Sequence, residues 1–223
     1  LDVIGPEGRA AVDTTGVSHL EISGLSFRYT QQWYDLDFPA WMHKEVESAA
    51  IRLRGECRGI SIRNCDFRDV IAGVRIQAIN DKPANDAILI ADNAFLRTDD
   101  AAIEVGKGGG ALGSVRVLRN RLHLIGMRPN RQSSGHALTV TFPVTMEIAG
   151  NILTRCYGAG IFLFGGKPSG GDGEVPFFRG LVHHNKAEQC LLAANDWGQI
   201  ETWQGGPFYI YNNVSANPNG LWN

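Results

Sequence analysis

The sequence predicts an all-β chain folded as a parallel β-helix, in which short strands wind into stacked coils. Two unlike half-motifs alternate through the 223 residues, at a spacing within the roughly 20–50 residues that is typical of solenoid repeats. Residues that favour turns, above all Gly and Asn, separate the half-motifs. No long stretch shows the helical spacing of apolar residues. We therefore expect one β-helix domain over residues 1–223, with about six to seven coils.

The first half-motif alternates apolar residues, turns at a small or polar residue and resumes with another apolar residue. Its copies read LEISGLSF, ISIRNCDF, ILIADNAF, VRVLRNRL, MEIAGNIL, LVHHNKA and YIYNNVSA. The second half-motif has two small residues followed by an apolar-x-apolar strand. Its copies read SAAIRL, IAGVRI, DAAIEV, GHALTV, GAGIFL and WGQIET. Such short strands, repeated in a fixed order, are typical of coils that stack in parallel.

Stacking places equivalent residues of successive coils in columns about 4.8 Å apart. Asparagine holds one turn position in five successive coils, and Leu25 and Cys65 hold it in the first two. We expect these asparagines to adopt left-handed backbone and to hydrogen-bond from coil to coil. The asparagine column comprises Asn93, Asn120, Asn151, Asn185 and Asn213.

A second column, in the second half-motif, is apolar and should stack inside the coils as core. It comprises Ile51, Val74, Ile103, Leu138, Ile161 and Ile200. The residues immediately before it are small in five coils, and we expect them to keep that part of the sheet surface open. These small residues are Ala50, Gly73, Ala102, Ala137 and Gly160.

The half-motifs and the asparagine column resemble those of the right-handed parallel β-helix proteins of the pectin-lyase-like superfamily. The resemblance covers nearly the whole chain, and it implies a right-handed coil with a substrate cleft along the first strand of each coil. That superfamily includes polysaccharide lyases, polygalacturonase-like glycoside hydrolases, epimerases, and phage or adhesin stems. The resemblance thus implies a carbohydrate-active protein without selecting one activity.

Residues that alternate with the core column should point outward from the second half-motif. Ionisable and aromatic residues gather on that face or at its start, which suits the binding of sugars. The predicted substrate-binding residues are Arg52, Arg75, Arg128, Arg131, Tyr157, Phe162, Trp197 and Trp203. For each of them, the alternative is an ordinary side chain on a solvated face.

Glycoside hydrolysis needs two carboxyl groups, about 5–5.5 Å apart in retaining enzymes and roughly 6.5–9.5 Å apart in inverting ones. The candidate catalytic residues are Asp99, Asp100, Glu104, His136, Asp196 and Glu201. His136 lies one coil beyond the first three acids, where it could tune a carboxyl pKa. Glu201 lies three coils beyond Glu104, so these two should not pair directly.

The segment TDDAAIEVG, followed by SGHALTV, is similar to the Asp-Asp and Gly-His-Gly motifs of polygalacturonase-like hydrolases. This similarity implies an acid role for Asp99 or Asp100 and a tuning role for His136. The second Asp is displaced by one residue, and an alanine stands where that family has its second Gly. The alternative is an acidic turn that packs against Arg75 or Arg97.

The combined features favour glycoside hydrolysis by paired carboxylates, acting on a polysaccharide or oligosaccharide without a cofactor or metal. The second interpretation is a polysaccharide lyase or epimerase that acts on a uronate-containing glycan with an arginine or lysine base. It would use Ca²⁺ held by Asp99, Asp100 and Glu104. The third interpretation is a non-catalytic carbohydrate-binding or structural β-helix.

Composition argues against two other kinds of partner. The formal net charge is −2, so we expect no nucleic-acid partner. No apolar run approaches the roughly 18 residues of a membrane helix, so we expect no membrane partner. The substrate class favours a secreted, periplasmic or cell-surface location. Because the chain lacks an initiator Met and a signal peptide, we expect it to be a piece of a longer β-helix.

The cysteines Cys57, Cys65, Cys156 and Cys190 show no metal-binding spacing. We expect buried free thiols, with one disulfide as the alternative. Long insertions flank the second half-motif and would build walls beside the expected cleft. They span 29–48, 106–113, 123–135, 165–178 and 187–196.

Overall fold

The computed structural model describes residues 2–4, 12–30, 48–77, 85–107, 112–128, 135–165, 179–193, 196–203 and 207–217. These residues form 22 β-strands, which wind into a right-handed parallel β-helix. The described residues contain no helix, and hence none that is long and apolar enough to cross a membrane. The predicted all-β solenoid is confirmed.

All strands are short. In chain order they are β1 (Asp2–Ile4), β2 (Val12–Thr15), β3 (Glu21–Ser23), β4 (Ser26–Arg28), β5 (Ile51–Arg54), β6 (Arg58–Arg63), β7 (Asp66–Val70), β8 (Val74–Gln77), β9 (Asp86–Ala91), β10 (Ala94–Thr98), β11 (Ile103–Lys107), β12 (Leu112–Leu118), β13 (Arg121–Ile125), β14 (Leu138–Thr141), β15 (Pro143–Ala149), β16 (Ile152–Cys156), β17 (Ile161–Phe164), β18 (Arg179–His183), β19 (Lys186–Glu188), β20 (Ile200–Trp203), β21 (Phe208–Tyr211) and β22 (Val214–Ala216).

Each strand pairs in parallel with a strand one coil away, which builds three sheets. Sheet 1 has the order β1-β4-β7-β10-β13-β16-β19-β22, sheet 2 has β2-β5-β8-β11-β14-β17-β20, and sheet 3 has β3-β6-β9-β12-β15-β18-β21. A coil passes through sheets 2, 3 and 1 in turn. The first half-motif therefore holds two strands, one in sheet 3 and one in sheet 1, and the second half-motif holds the strand of sheet 2.

The predicted core column lies in sheet 2, and its members are in register from coil to coil. They are all buried except Ile200, which is partly exposed. In sheet 1, the rings of Phe27, Phe67 and Phe95 stack with centroid distances of 4.8 and 4.5 Å. These distances match the spacing of neighbouring strands. Identical rings can therefore pack face to face along the axis of the solenoid.

The small residues before the core column pack toward the interior. A Cβ on Gly73 would lie 2.4 Å from the Phe95 ring and 2.4 Å from the Ala102 carbonyl oxygen. A Cβ on Gly160 would lie 3.0 Å from Cys190 Sγ. The expectation that this column keeps the outer surface open is therefore wrong. Its members are small because the chain bends here against the core.

The five column asparagines form a continuous hydrogen-bond ladder at the bend between sheets 3 and 1. In each step, a side-chain amide donates to Oδ1 of the asparagine one coil on, at 2.9–3.0 Å. That Oδ1 also accepts the backbone N–H of the preceding ladder residue. Each amide donates as well to a carbonyl of sheet 3. The ladder thus satisfies backbone groups at a buried bend, and the predicted asparagine contacts are confirmed.

Left-handed backbone occurs at this bend one residue earlier than expected. The residues with positive φ are Gly24, Asn64, Asp92, Arg119, Gly150, His184 and Asn212. Each of them directly precedes a ladder position, and no ladder asparagine has a positive φ. The expectation of left-handed backbone at the asparagines is therefore wrong. The side-chain amide, rather than tolerance of the left-handed region, explains why Asn recurs in this column.

All four cysteines are free and buried, as the thiol interpretation predicts. Burial raises the pKa of Cys57 and Cys65. Parts of the predicted insertions, at 31–47, 108–111, 129–134, 166–178 and 194–195, lie outside the described residues. Three of the insertions begin inside strands, because β11, β13 and β19 extend into 106–113, 123–135 and 187–196.

Replacing Asn120 with alanine should lower the free energy of unfolding by roughly 2–5 kcal/mol, because the buried backbone N–H of Asn93 and carbonyl of Ile90 lose a partner and the ladder is interrupted. Asn213→Ala is the matched control. It lies at the partly exposed end of the ladder, where water can replace the lost bonds, so its effect should be smaller. Urea unfolding followed by circular dichroism measures both values. Equal losses in the two variants would contradict a central role for the buried ladder.

Candidate functional site

The outward residues of sheet 2 lie in one register, as the alternation predicts. The column runs Arg52, Arg75, Glu104, Thr139, Phe162 and Glu201. Arg75, Glu104 and Phe162 are buried, whereas the other three are partly exposed. The expected cleft along this face is therefore interrupted, with partly exposed residues on either side of the buried Arg75 and Glu104.

A buried ion cluster occupies the closed part of this face. The Arg75 guanidinium is fully buried, and its Nε donates to Glu104 Oε2 at 2.7 Å. Its Nη2 pairs with Asp100, and its Nη1 donates to the Ser48 carbonyl oxygen at 2.9 Å. Burial opposes the charge on Arg75, but the two carboxylates outweigh it and raise the pKa of Arg75 above its usual value.

The cluster matches the alternative in which the acidic turn packs against Arg75. Both Asp100 and Glu104 lie beside a permanent positive charge and are shielded from solvent. A carboxylate held in this way is poorly placed to exchange protons with a substrate. The contacts favour a structural role for Asp100 and Glu104.

His136 is buried in an aromatic environment. Its ring stacks on Phe162 at 4.1 Å and meets the edge of Trp197 at 4.7 Å between centroids. The backbone N–H of Ala159 donates to its Nδ1 at 3.1 Å, which places the proton of the neutral ring on Nε2. Burial lowers the pKa of His136 to about 4, although the charge of Glu104 acts in the opposite direction. His136 is therefore uncharged at neutral pH.

The segment 196–203 carries the last described residues of the outward face. Asp196 is exposed, and Glu201 is partly exposed and accepts the Gly198 N–H at 2.8 Å. Tyr157 and Trp197 are partly exposed as well. The expected separation of Glu201 from Glu104 is confirmed, since two further strands lie between theirs in the sheet. Arg131 lies outside the described residues.

A cavity of about 510 Å³ lies beside the ends of four successive sheet 1 strands, β4, β7, β10 and β13. It is lined by Tyr29, Thr30, Asp69, Arg97, Asp99, Met127 and Arg128. Two of the predicted site residues, Asp99 and Arg128, thus face the same space. Their closest charged atoms are 3.5 Å apart, and the Arg128 side chain is 70% exposed.

The two carboxyl groups of this cavity have opposite electrostatic environments. Arg97 donates from Nε and Nη2 to the two oxygens of Asp69, at 2.6 and 2.8 Å, and these bonds lower the pKa of Asp69. Asp99 is about half-buried. Its burial raises its pKa, Arg128 opposes this shift, and the negative charges of Asp100 and Asp69 add to it. Asp99 therefore holds a proton to higher pH than Asp69 does.

Sequence reasoning misses Tyr29 and Asp69. Both belong to a column with positive φ at the end of sheet 1, with 57° at Tyr29, 53° at Asp69 and 56° at Arg97. A left-handed residue breaks the in-out alternation of a strand, so counting alternate residues does not give its direction. The signal in the sequence is a fixed offset, because each lies two residues after a phenylalanine of the interior stack.

The described residues contain no group of three or more His, Cys, Asp or Glu side chains placed to hold a metal ion. The acids named for Ca²⁺ in the lyase interpretation point to different surroundings. Asp99 lines the cavity, whereas Asp100 and Glu104 bind Arg75. The structure does not bring these three carboxylates together around one space.

Replacing Arg75 with methionine should cost roughly 3–5 kcal/mol of stability, because two acids lose their buried counter-charge. Arg119→Met is the matched control. Arg119 forms an exposed ion pair with Asp92 at 2.7 Å, and such pairs contribute about 0–1 kcal/mol. Adding Asp100→Asn and Glu104→Gln to the Arg75 variant should restore part of the loss. Thermal and urea unfolding measure these effects, and a lone Arg75→Met variant as stable as Arg119→Met would contradict the cluster.

His136 should make stability depend on pH. Because its folded pKa is about 4, below the ordinary value, the unfolded chain binds the proton first as pH falls. The contribution of neutral His136 to the free energy of unfolding is therefore complete above pH ~6.5. It falls by up to about 3 kcal/mol as the pH drops toward ~4. Urea unfolding of wild type and His136→Gln at several pH values isolates this contribution. The expected result is a weaker pH dependence in the variant, and identical dependences would contradict it.

Comparison with known proteins leaves the site to be interpreted from its own residues. A scan against protein-family models and searches of curated proteins and of solved structures found no match. The part of the predicted resemblance that the structure shows is the architecture, with three parallel sheets coiled into one solenoid. By that architecture, the chain is a parallel β-helix protein.

Proposed function

We propose that the protein is a glycoside hydrolase whose catalytic centre is the cavity beside β4, β7, β10 and β13. The observation that carries the proposal is that Asp99 and Asp69 line one cavity while their pKa values shift in opposite directions. Pairs of carboxyl groups with this asymmetry divide into a proton donor and an ionised partner. Asp99 is the general acid, and Asp69 is the ionised carboxylate.

Asp99 protonates the glycosidic oxygen as the bond to the sugar breaks, so the leaving group departs as a neutral hydroxyl. Half-burial and the negative neighbours of Asp99 support this role, since they hold its proton to higher pH. Asp69 remains ionised and faces the positive charge that develops on the sugar ring. It attacks the anomeric carbon or takes a proton from the attacking water, according to the separation of the two carboxyl groups.

Arg97 is a positioning residue in this mechanism. Its two parallel hydrogen bonds to Asp69 fix the plane of that carboxylate. The hydrogen bonds and charge of Asp69 in turn raise the pKa of Arg97. An arginine whose pKa is raised is unsuited to act as the base of a lyase, so Arg97 is given a positioning role and not that of a base.

Three features support a sugar substrate. The cavity volume of about 510 Å³ lies within the roughly 300–1,000 Å³ of small-molecule sites. Tyr29 is 56% exposed at its rim and offers both a ring face and a hydroxyl group. The third feature is the resemblance of the half-motifs to the pectin-lyase-like superfamily, which is an analogy at the level of the fold.

Asp99→Asn and Asp69→Asn should each lower the release of reducing ends at least ~100-fold while the fold is retained. Asp92→Asn is the matched control, because Asp92 makes the same two-bond pair with Arg119, at 2.7 Å, outside the cavity. It should keep the wild-type rate. The wild-type rate should also fall at high pH, as Asp99 loses its proton, and at low pH, as Asp69 gains one. A panel of neutral and acidic polysaccharides supplies the substrates.

Other products would point to the other interpretations. An unsaturated product that absorbs in the ultraviolet would identify a lyase. A folded wild-type protein that cuts no glycan would favour a binding or structural β-helix. Full activity in Asp99→Asn would reject the assigned general acid.

A further inference from the structure

Two adjacent histidines at the bend after β18 bring their ring nitrogens together. His183 is the last residue of β18, and His184 follows it. Neighbouring residues of a regular strand point to opposite faces of the sheet. His184, however, has a left-handed backbone with a φ of 54°, which breaks the alternation and turns its side chain toward that of His183. The two Nδ1 atoms lie 2.9 Å apart, and we call the two residues the histidine pair.

The other ring nitrogen of each histidine lies near a polar side chain of a neighbouring coil. His183 Nε2 lies 3.4 Å from Glu147 Oε1, in the coil before. A carboxylate at this place favours the tautomer with its proton on Nε2, which leaves a lone pair on Nδ1. Arg116 donates to the other oxygen of Glu147 at 2.8 Å and holds the carboxylate in place. His184 Nε2 lies 3.4 Å from the side-chain amide of Asn212, in the coil after. An amide can also present its oxygen to a ring nitrogen, and it then accepts a proton from Nε2.

Packing orders both rings of the histidine pair. The ring of His183 stacks on that of Tyr211, with 4.9 Å between centroids and 12° between planes. The ring of His184 meets Tyr211 edge-on at 6.1 Å. Described strands flank the pair on both sides, with β15 before β18 and β21 after it. His184 is nevertheless exposed. The two Nδ1 atoms are therefore held by packed coils at a bend that a small ion can reach.

The distance between the two Nδ1 atoms indicates the kind of ion that they fit. Imidazole nitrogens bind transition metals at about 2.0–2.1 Å. At that bond length, two nitrogens 2.9 Å apart make an angle of roughly 90° at the ion, as at neighbouring corners of a square. A tetrahedral ion such as Zn²⁺ would need them about 3.3–3.4 Å apart. Square-planar or tetragonal geometry is typical of Cu²⁺ and Ni²⁺, and Cu²⁺ binds nitrogen ligands more tightly than the other common divalent ions do.

We propose that His183 and His184 form a binding site for a divalent transition-metal ion, with Cu²⁺ preferred. Each histidine supplies Nδ1, and the ion takes the place of the proton between these two atoms. His184 then carries its proton on Nε2, so both rings bind as neutral imidazoles. Water completes the coordination of the ion. Neither histidine lines the cavity of the proposed hydrolase, so this site does not depend on that activity.

Calorimetric titration of the full chain with copper(II) chloride or zinc chloride, in a buffer that does not bind metals, tests this proposal. The wild-type protein should bind Cu²⁺ at least ~10-fold more tightly than Zn²⁺. Pulsed EPR of the Cu²⁺ complex should show coupling to two imidazoles. His183→Phe and His184→Asn each remove one ligand and should weaken Cu²⁺ binding at least ~10-fold, since loss of even an outer partner of a metal site costs roughly 10–100-fold. His183→Phe keeps a ring beside Tyr211, and Asn at 184 tolerates left-handed backbone, so circular dichroism should show both variants folded.

His123→Ala is the matched control, because Nδ1 of His123 pairs with the Thr154 hydroxyl at 2.7 Å instead of with a second imidazole. It should bind Cu²⁺ like the wild type and keep the coupling to two imidazoles. Three results would overturn the proposal: equal Cu²⁺ binding by the wild type and both variants of the pair, coupling to a single imidazole in the wild type, or tighter binding of Zn²⁺ than of Cu²⁺.

Discussion

The hydrogen-bond ladder of asparagines is the interaction on which the rest of the structure depends. Each buried ladder residue, such as Asn120, bonds to the coil before it and the coil after it. If one coil slipped by a single residue, these buried donors and acceptors would lose their partners and the core side chains would turn outward. The ladder therefore fixes the register of every column. The stacked rings of sheet 1 and the outward residues of sheet 2 inherit their alignment from it.

That register also decides which charges meet. Residues one coil apart fall about 4.8 Å from each other, so Asp92 meets Arg119 and Asp69 meets Arg97. On the surface such pairs are screened by water and contribute little. Arg75 also pairs with an acid one coil away, Glu104, and in addition with Asp100, but these side chains are buried. The loss of one buried partner is costly. One stacking rule thus yields weak surface pairs and one strong internal cluster, and burial makes the difference.

Local pattern predicts whatever depends on period alone. Asn120 and Ile103 could be placed from the sequence because a strand alternates with period two and coils stack in fixed columns. The direction of the Asp69 side chain could not be predicted in this way, because the left-handed backbone of Asp69 breaks the alternation of its strand. The role of Gly73 could not be predicted either. A small residue indicates that space is limited, but it does not indicate whether the inner or the outer side of the sheet is crowded. The burial of Arg75 depends on contacts with Asp100 and Ser48, which no single-strand pattern contains.

The periodicity of the coil explains where unlike surroundings can arise in it. A regular column gives equivalent residues similar surroundings, which suits a ligand that is itself a repeating chain. Phe164 and Trp203 show this similarity, since they are paired on adjacent strands of one face of sheet 2. Acid-base chemistry needs the opposite, namely two carboxyl groups in unlike surroundings. Such inequality arises where the repeat is broken, as at the bend where Asp99 is half-buried and Asp69 is held by Arg97. Acid-base chemistry in a β-helix is therefore favoured at its bends.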